Sequence, residues 1–170
     1  MEENQLIDEF TKLYDEFFDD IYRYVYVKTG SKWDAEDIVS ETFRKAYESW
    51  GSLKNGTNAK AWLLTIARNT VIDFYRKKKN VLMGEELEHF LKPHPFEDPF
   101  EQSNELECLK KSLYHLSKED FEITNLRYFA GLKFKEISIV LGKKEETLRV
   151  KSNRLTKKLE LLVKKCLGEL

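Results

Sequence analysis

The chain has 170 residues, of which 41% are apolar and 13% aromatic, enough to bury one domain core or two small ones. Its formal charge of -1 hides opposed segments: residues 1–50 hold 13 acids and 6 bases, 51–79 hold 1 and 7, 80–107 hold 8 acids against Lys92, and 133–165 hold 11 bases against 4 acids. The acidic N-terminus, MEENQLIDEF, lacks the apolar core of a signal peptide, and no run approaches the roughly 18 apolar residues of a membrane span, so no membrane insertion and a cytosolic location are expected.

Leu6, Phe10, Leu13, Phe17, Ile21, Tyr24 and Val25 recur at helical spacing and predict a long amphipathic helix from Leu6 to Lys28, ended by Gly30. Ser31 and Asp34 resemble a capping box opening a second helix, whose stripe is Ala35, Ile38, Val39, Phe43, Ala46, Tyr47 and Trp50. The loop GSLKNGTN at 51–58 is too short for a domain linker, and its Asn58 or Thr57 can cap a third helix, AKAWLLTIARNTVIDFYRKKK at 59–79. One face of that helix carries Leu63, Leu64, Ala67, Val71, Phe74 and Tyr75, and the other Thr65, Asn69, Asp73 and Arg76. It ends in four cations, Arg76 to Lys79, where the helix macrodipole favours positive charge and phosphate oxygens can be met.

Residues 80–104 lose this period and set Pro93, Pro95 and Pro99 among acids and phenylalanines, as a linker does, with room for a short helix at Glu86–Leu91. Leu106, Leu109, Leu113 and Leu116 restart a helical pattern, and Ser117 to Asp120 has the form of a helix start before Phe121, Ile123, Thr124, Leu126, Tyr128 and Phe129. Gly131 sets off a shorter helix, Phe134 to Leu141, which Gly142 ends before a last helix from about Glu145. On that last helix Leu148, Leu155, Leu159 and Leu162 form a narrow stripe, while Arg149, Val150, Asn153, Arg154 and Lys157 face away, flanked by Lys151 and Lys158. Helix, tight turn, helix is the arrangement in which the second helix enters the major groove. Arg bonds guanine bidentately, Asn bonds adenine, Val150 offers a methyl contact to thymine, and Lys157 and Lys158 suit phosphates.

The expected fold is all-α, with a helical bundle at 1–79, an acidic proline-containing linker at 80–104 and a helix-turn-helix domain at 105–170. Cys108 and Cys166 lie far apart, without metal-type spacing to His89, His94 or His115, so two reduced thiols and no metal are expected. No grouping of nucleophile, base and carboxylate suggests an enzyme. Trp33, Trp50 and Trp62 are expected to bury area in the core, Trp62 being the exception because it borders the Asn69 face.

With the helices placed, the chain resembles, over nearly its whole length, bacterial RNA polymerase sigma factors of the extracytoplasmic-function type, group IV of the sigma-70 family. DAEDIVSETFRKAY at 34–47 is similar to the family's polymerase-binding helix, and AWLLTIARNTVIDFYRKKK to its promoter-melting helix. LRYFAGLKFKEISIVLG followed by EETLRVKSNRLTKKL is similar to its domain for reading the minus-thirty-five element.

The resemblance implies a protein that makes core RNA polymerase promoter-specific and helps open the duplex. By its terms Asp37, Ser40, Glu41 and Arg44 face the clamp helices of the polymerase largest subunit, and the flap region is a second polymerase contact. Asn55, Thr57 and Asn58 of the loop, with Trp62, Thr65 and Asn69, form a pocket for a flipped minus-ten base, whose extrusion costs a few kcal/mol. Arg76, Lys77 and Lys78 grip nearby phosphates. Lys144, Thr147, Arg149, Val150, Lys151, Asn153, Arg154 and Lys157 meet the minus-thirty-five element. The resemblance further implies promoter DNA and an anti-sigma factor as partners, no cofactor, a bacterial cytoplasmic location, and a linker that threads the polymerase cleft. The aromatic face of Tyr14, Phe18, Tyr22 and Tyr26 serves either as the anti-sigma dock or in interdomain packing. Ser40 stands where the family commonly has Gln, Glu146 where Gly is common, Lys143 where an apolar turn residue is usual, and Lys133 where a Ser or Thr cap is usual. The alternative is an autonomous helix-turn-helix regulator whose N-terminal half senses a ligand or dimerises.

Overall fold

A computed structural model describes residues 2–81 and 103–170. The short helix expected at Glu86–Leu91, and the prolines of the expected linker, lie outside the described residues. Every regular element among the described residues is helical: α1 (Glu2–Thr29), α2 (Lys32–Trp50), α3 (Ala59–Val81), α4 (Asn104–Tyr114), α5 (Lys118–Thr124), α6 (Phe134–Leu141) and α7 (Glu145–Cys166). The fold is all-α.

Local chemistry sets most boundaries. The Ser31 hydroxyl accepts the Asp34 N–H at 3.3 Å and starts α2. Asn58, not Thr57, caps α3: its Oδ1 accepts the Ala61 N–H at 2.9 Å, while the Thr57 hydroxyl donates to the Lys54 carbonyl at 2.7 Å. Ser103 and Ser117 accept from Leu106 and Asp120, each at 3.1 Å, and start α4 and α5. Lys133 has no acceptor for such a cap, so only the reverse half of a capping box forms at α6, with the Glu136 carboxylate accepting the Lys133 N–H at 2.7 Å. Gly142, at φ +65°, takes the left-handed conformation that closes α6.

α1, α2 and α3 pack on one another through Ile21, Tyr24, Val25, Ile38, Leu63, Leu64 and Val71, all essentially solvent-free. Each such aliphatic side chain contributes about 1.5–3 kcal/mol on burial. The second bundle closes around Ile123, Leu126, Leu132, Ile137 and Leu148. α7 gives it Leu148, Ser152 and Leu155, so its fully buried residues all lie in its first half.

Three expectations are corrected. The stretch from Phe121 to Phe129 is not one α-helix: at Asn125–Phe129 it widens into a π-helical turn, with the Ala130 N–H reaching back to the Asn125 carbonyl at 3.0 Å. Cys108 and Cys166 are not free thiols but a disulfide, with Cα atoms 5.6 Å apart across 58 positions of sequence, because α4 packs beside the end of α7. Trp33 is not core; it is 77% exposed at the start of α2.

The two bundles also touch. α1 meets the π-helical turn, and α3 meets α6. At the centre Glu122 is 6% exposed, accepts the Tyr24 hydroxyl at 2.6 Å, pairs with Lys28 and faces Arg68 Nε at 3.5 Å. The buried Asn125 amide donates to the Tyr24 carbonyl at 3.0 Å, and Arg23 Nε donates to the Phe129 carbonyl at 3.3 Å. Burial pushes the Tyr24 phenol up, so it stays a neutral donor to Glu122.

Candidate nucleic-acid interface

The loop 51–58 and the outer face of α3 form the first surface. Gly56, at φ +84°, turns the loop and leaves Asn55 and Thr57 exposed. Asn58 is committed twice, by its cap to Ala61 and by Nδ2 donating to Glu136 of α6 at 2.9 Å. Trp62 is half-buried and packs against Trp50, with ring centroids 6.0 Å apart. Thr65 spends its hydroxyl proton on the Ala61 carbonyl at 2.8 Å. Asn69, one helical turn further, is exposed and has no hydrogen-bond partner among the described residues. Its amide therefore keeps both donor and acceptor capacity.

The terminal cations of α3 are less free than their sequence suggests. Arg76 donates to Asp73 at 2.7 Å, and Lys78 turns inward to Asp34 at 2.9 Å, lying 4.6 Å from the centre of the Phe74 ring. Lys77 is exposed. Lys79 lines a cavity of about 530 Å³ between the bundles, with Arg76, Lys28 and Arg68 on one side and Lys118 and Lys143 on the other.

α7 carries the second surface. Gly142, the exposed Lys143 and the extended Lys144 lead into its N-terminus. Lys144, Thr147, Arg149, Val150, Asn153, Arg154 and Lys157 are all exposed, and Thr147, Val150 and Arg154 line one shallow groove at helical spacing. Arg149 donates to Glu145 at 2.6 Å and lies 5.4 Å from the centre of the Phe134 ring, which positions the guanidinium over the start of α6. Lys151 departs from this face. It is half-buried, 3.1 Å from Glu119 and 3.3 Å from Asp120, and hydrogen bonding to Glu119 raises its pKa.

A third surface lies on α2, where Asp37, Ser40, Glu41 and Arg44 sit opposite the buried Ile38–Val39–Phe43 stripe. Arg44 bridges Glu41, at 2.6 and 2.8 Å, and Glu48, at 2.5 Å; its hydrogen bond holds Glu41 below the usual carboxylate range. This leaves a preformed strip of acid, hydroxyl and fixed guanidinium. On α1, Tyr14, Phe18, Tyr22 and Tyr26 form a ladder with successive centroids 5.1, 6.1 and 5.9 Å apart, in which Tyr14 and Phe18 also pack on Phe43. Tyr24, Arg68 and Glu122 meet between α1, α3 and α5 although helical spacing alone does not mark them as interface residues. The available signal was Glu122 itself, a lone acid in the run FEITNL.

Among the described residues no cluster of His, Cys, Asp or Glu is arranged to hold a metal ion, and no helix is long and apolar enough to cross a membrane. Residues 13–81 match the family model for Sigma-70 region 2. The chain is 31% identical to the ECF RNA polymerase sigma factor SigM of Bacillus subtilis, over 92% of this chain and 94% of that protein. It is 34% identical to the ECF RNA polymerase sigma factor BldN of Streptomyces coelicolor, over 92% of this chain but 61% of that longer protein. The fold is similar to that of the sigma factor RpoE, solved in complex with the anti-sigma factor NepR from Bartonella quintana, with a TM-score of 0.70 at 24% identity, covering 92% of this chain and 97% of that one. Identity of this extent to SigM, spanning α1 through α7, makes the chain a member of the ECF RNA polymerase sigma factor family.

Proposed function

We propose that this chain is a group IV sigma subunit that binds core RNA polymerase, selects promoters through minus-ten and minus-thirty-five elements and assists duplex opening in the bacterial cytoplasm. In this reading residues 1–79 bind polymerase and melt DNA, 80–104 link, and 105–170 read the minus-thirty-five element. The observation that carries it is the pairing of two DNA-suited surfaces on one chain: the loop beside the exposed Asn69, and the exposed face of α7 with Arg149, Val150, Asn153 and Arg154. The fixed Glu41–Arg44 strip on α2 supports a contact with the polymerase clamp helices. Arg76 and Lys77 supply phosphate grip, whereas Lys78 and Lys151 act first as internal ties. The relative RpoE is solved with an anti-sigma factor, which supports a similar partner for this chain, with the α1 aromatic ladder as one apolar surface open to it.

The test is run-off transcription with purified protein and sigma-free core polymerase on a promoter library. Discrete, promoter-dependent starts are expected. Transcripts no more specific than those of core polymerase alone would refute the assignment.

A further inference from the structure

We infer that Cys108 and Cys166 are a reversible redox site that sets how firmly the second half of α7 is held, so that oxidised and reduced protein differ in affinity for duplex DNA. Its DNA part and its reducing surroundings rest on the sigma reading above, whereas the tie on α7 rests on the structure alone. The fully buried residues of α7, Leu148, Ser152 and Leu155, lie in its first half. Beyond them Leu159 and Leu162 are only half-buried and Leu161 is 57% exposed. The covalent bond from Cys166, the last residue of α7, to Cys108 on α4 therefore fastens the end of the helix that its apolar packing holds least. That half also carries Lys157 and Lys158.

The two cysteines differ in exposure: Cys166, at a helix end, is an exposed residue, whereas Cys108 is 3% exposed. An exposed thiol exchanges with small disulfides, and a buried neighbour resolves the mixed disulfide. Compartments in which polymerase works generally keep thiols reduced, and disulfides that form there are mostly transient and redox-sensing. The oxidant is a low-molecular-weight disulfide, RSSR. The Cys166 thiolate attacks one of its sulfurs and expels RS⁻, which takes up the Cys166 proton. The Cys108 thiolate then attacks the Cys166 sulfur of the mixed disulfide and expels a second RS⁻, which takes up the Cys108 proton. Two electrons pass from the protein dithiol to RSSR, which leaves as two RSH, and excess RSH reverses both steps.

The full chain is equilibrated in glutathione buffers spanning fully reduced to fully oxidised, and free thiols are trapped by alkylation and counted by mass. Each form is then followed by thermal unfolding, by amide exchange over residues 156–166 and by binding to a mixed-sequence DNA duplex, with C166S and C108S in parallel. The pair should interconvert. Reduction should lower the melting temperature by on the order of 10 °C, speed exchange in that segment at least about tenfold if the tie governs local opening, and weaken duplex binding several-fold. C166S should behave as the reduced form in every buffer. A pair that stays in one state across all buffers, or two forms with the same melting and exchange, would overturn the inference, as would equal DNA affinity in both forms. If melting and exchange respond while neither form binds DNA, the redox site stands and the sigma reading fails instead.

Discussion

Asn69 and Arg149 are positioned by different means, and this sets what their loss should do. Asn69 is exposed and unbonded among the described residues, so its amide is available to a base without first breaking a bond to them. Asn69→Ala should lower promoter opening roughly five- to tenfold, the equivalent of one net hydrogen bond of about 1–1.5 kcal/mol, with polymerase binding unchanged. Equal opening on all templates in a permanganate footprint would rule the pocket out. Arg149 must first release Glu145, but an exposed pair of that kind is worth about 0–1 kcal/mol, less than a bidentate bond to guanine. Arg149→Ala should relax the minus-thirty-five preference at one base pair by about 1–3 kcal/mol in a binding-site selection. A uniform loss across all sites would make it a phosphate contact. Lys78 and Lys151 show where side-chain reading runs out. A helical wheel places them on outer faces, yet each has a stem long enough to reach a carboxylate on another element, Asp34 or Glu119.

The starts of α2, α3 and α5 and the end of α6 were legible in the sequence because their causes are local: Ser31, Asn58, Ser117 and Gly142 each act within a few residues of themselves. The π-helical turn at Asn125–Phe129 was not, since its apolar spacing is still helical and nothing local marks the turn, which meets α1 only in the fold. The Cys108–Cys166 bond was hidden for the same reason, because partners 58 positions apart meet only once α4 and α7 are in place. Gly142 provides a test at this scale. A Cβ there would meet nothing within 4 Å, so the only cost of Gly142→Ala is the left-handed backbone at φ +65°. That is about 1–2 kcal/mol, a fall of several degrees in melting temperature. An unchanged melting curve would mean that the turn between α6 and α7 re-forms without that conformation.

For the molecule as a whole, the opposed charges of its segments were legible, but the contact of α5 with α1 and α3 was not, because no sequence pattern says that Glu122 meets Tyr24, Lys28 and Arg68. The closed arrangement titrates. Burial first, and then the Arg68 cation, lower the Lys28 pKa from 10.5 to about 7, with Glu122 of α5 and the Tyr24 ring also facing it. If the halves part and Lys28 regains its ordinary value, the closed form binds fewer protons than the open one between those limits, so closure strengthens as pH rises through that window. Small-angle scattering should give a smaller radius of gyration at about pH 9 than at about pH 6.5. Expansion with rising pH would show that the Lys28–Glu122 pair, rather than desolvation, governs closure. The internal ion pairs also bear on ionic strength. Arg76, Lys78, Arg149 and Lys151 already hold Asp73, Asp34, Glu145 and Glu119, so this chain's own carboxylates occupy the places that mobile anions would take. Added salt loosens those tethered pairs while it weakens the grip on phosphate, and the two effects oppose. The logarithm of DNA affinity should therefore fall with the logarithm of salt less steeply than about 0.9 per phosphate contact, and Asp73→Asn with Glu145→Gln should restore the steeper slope.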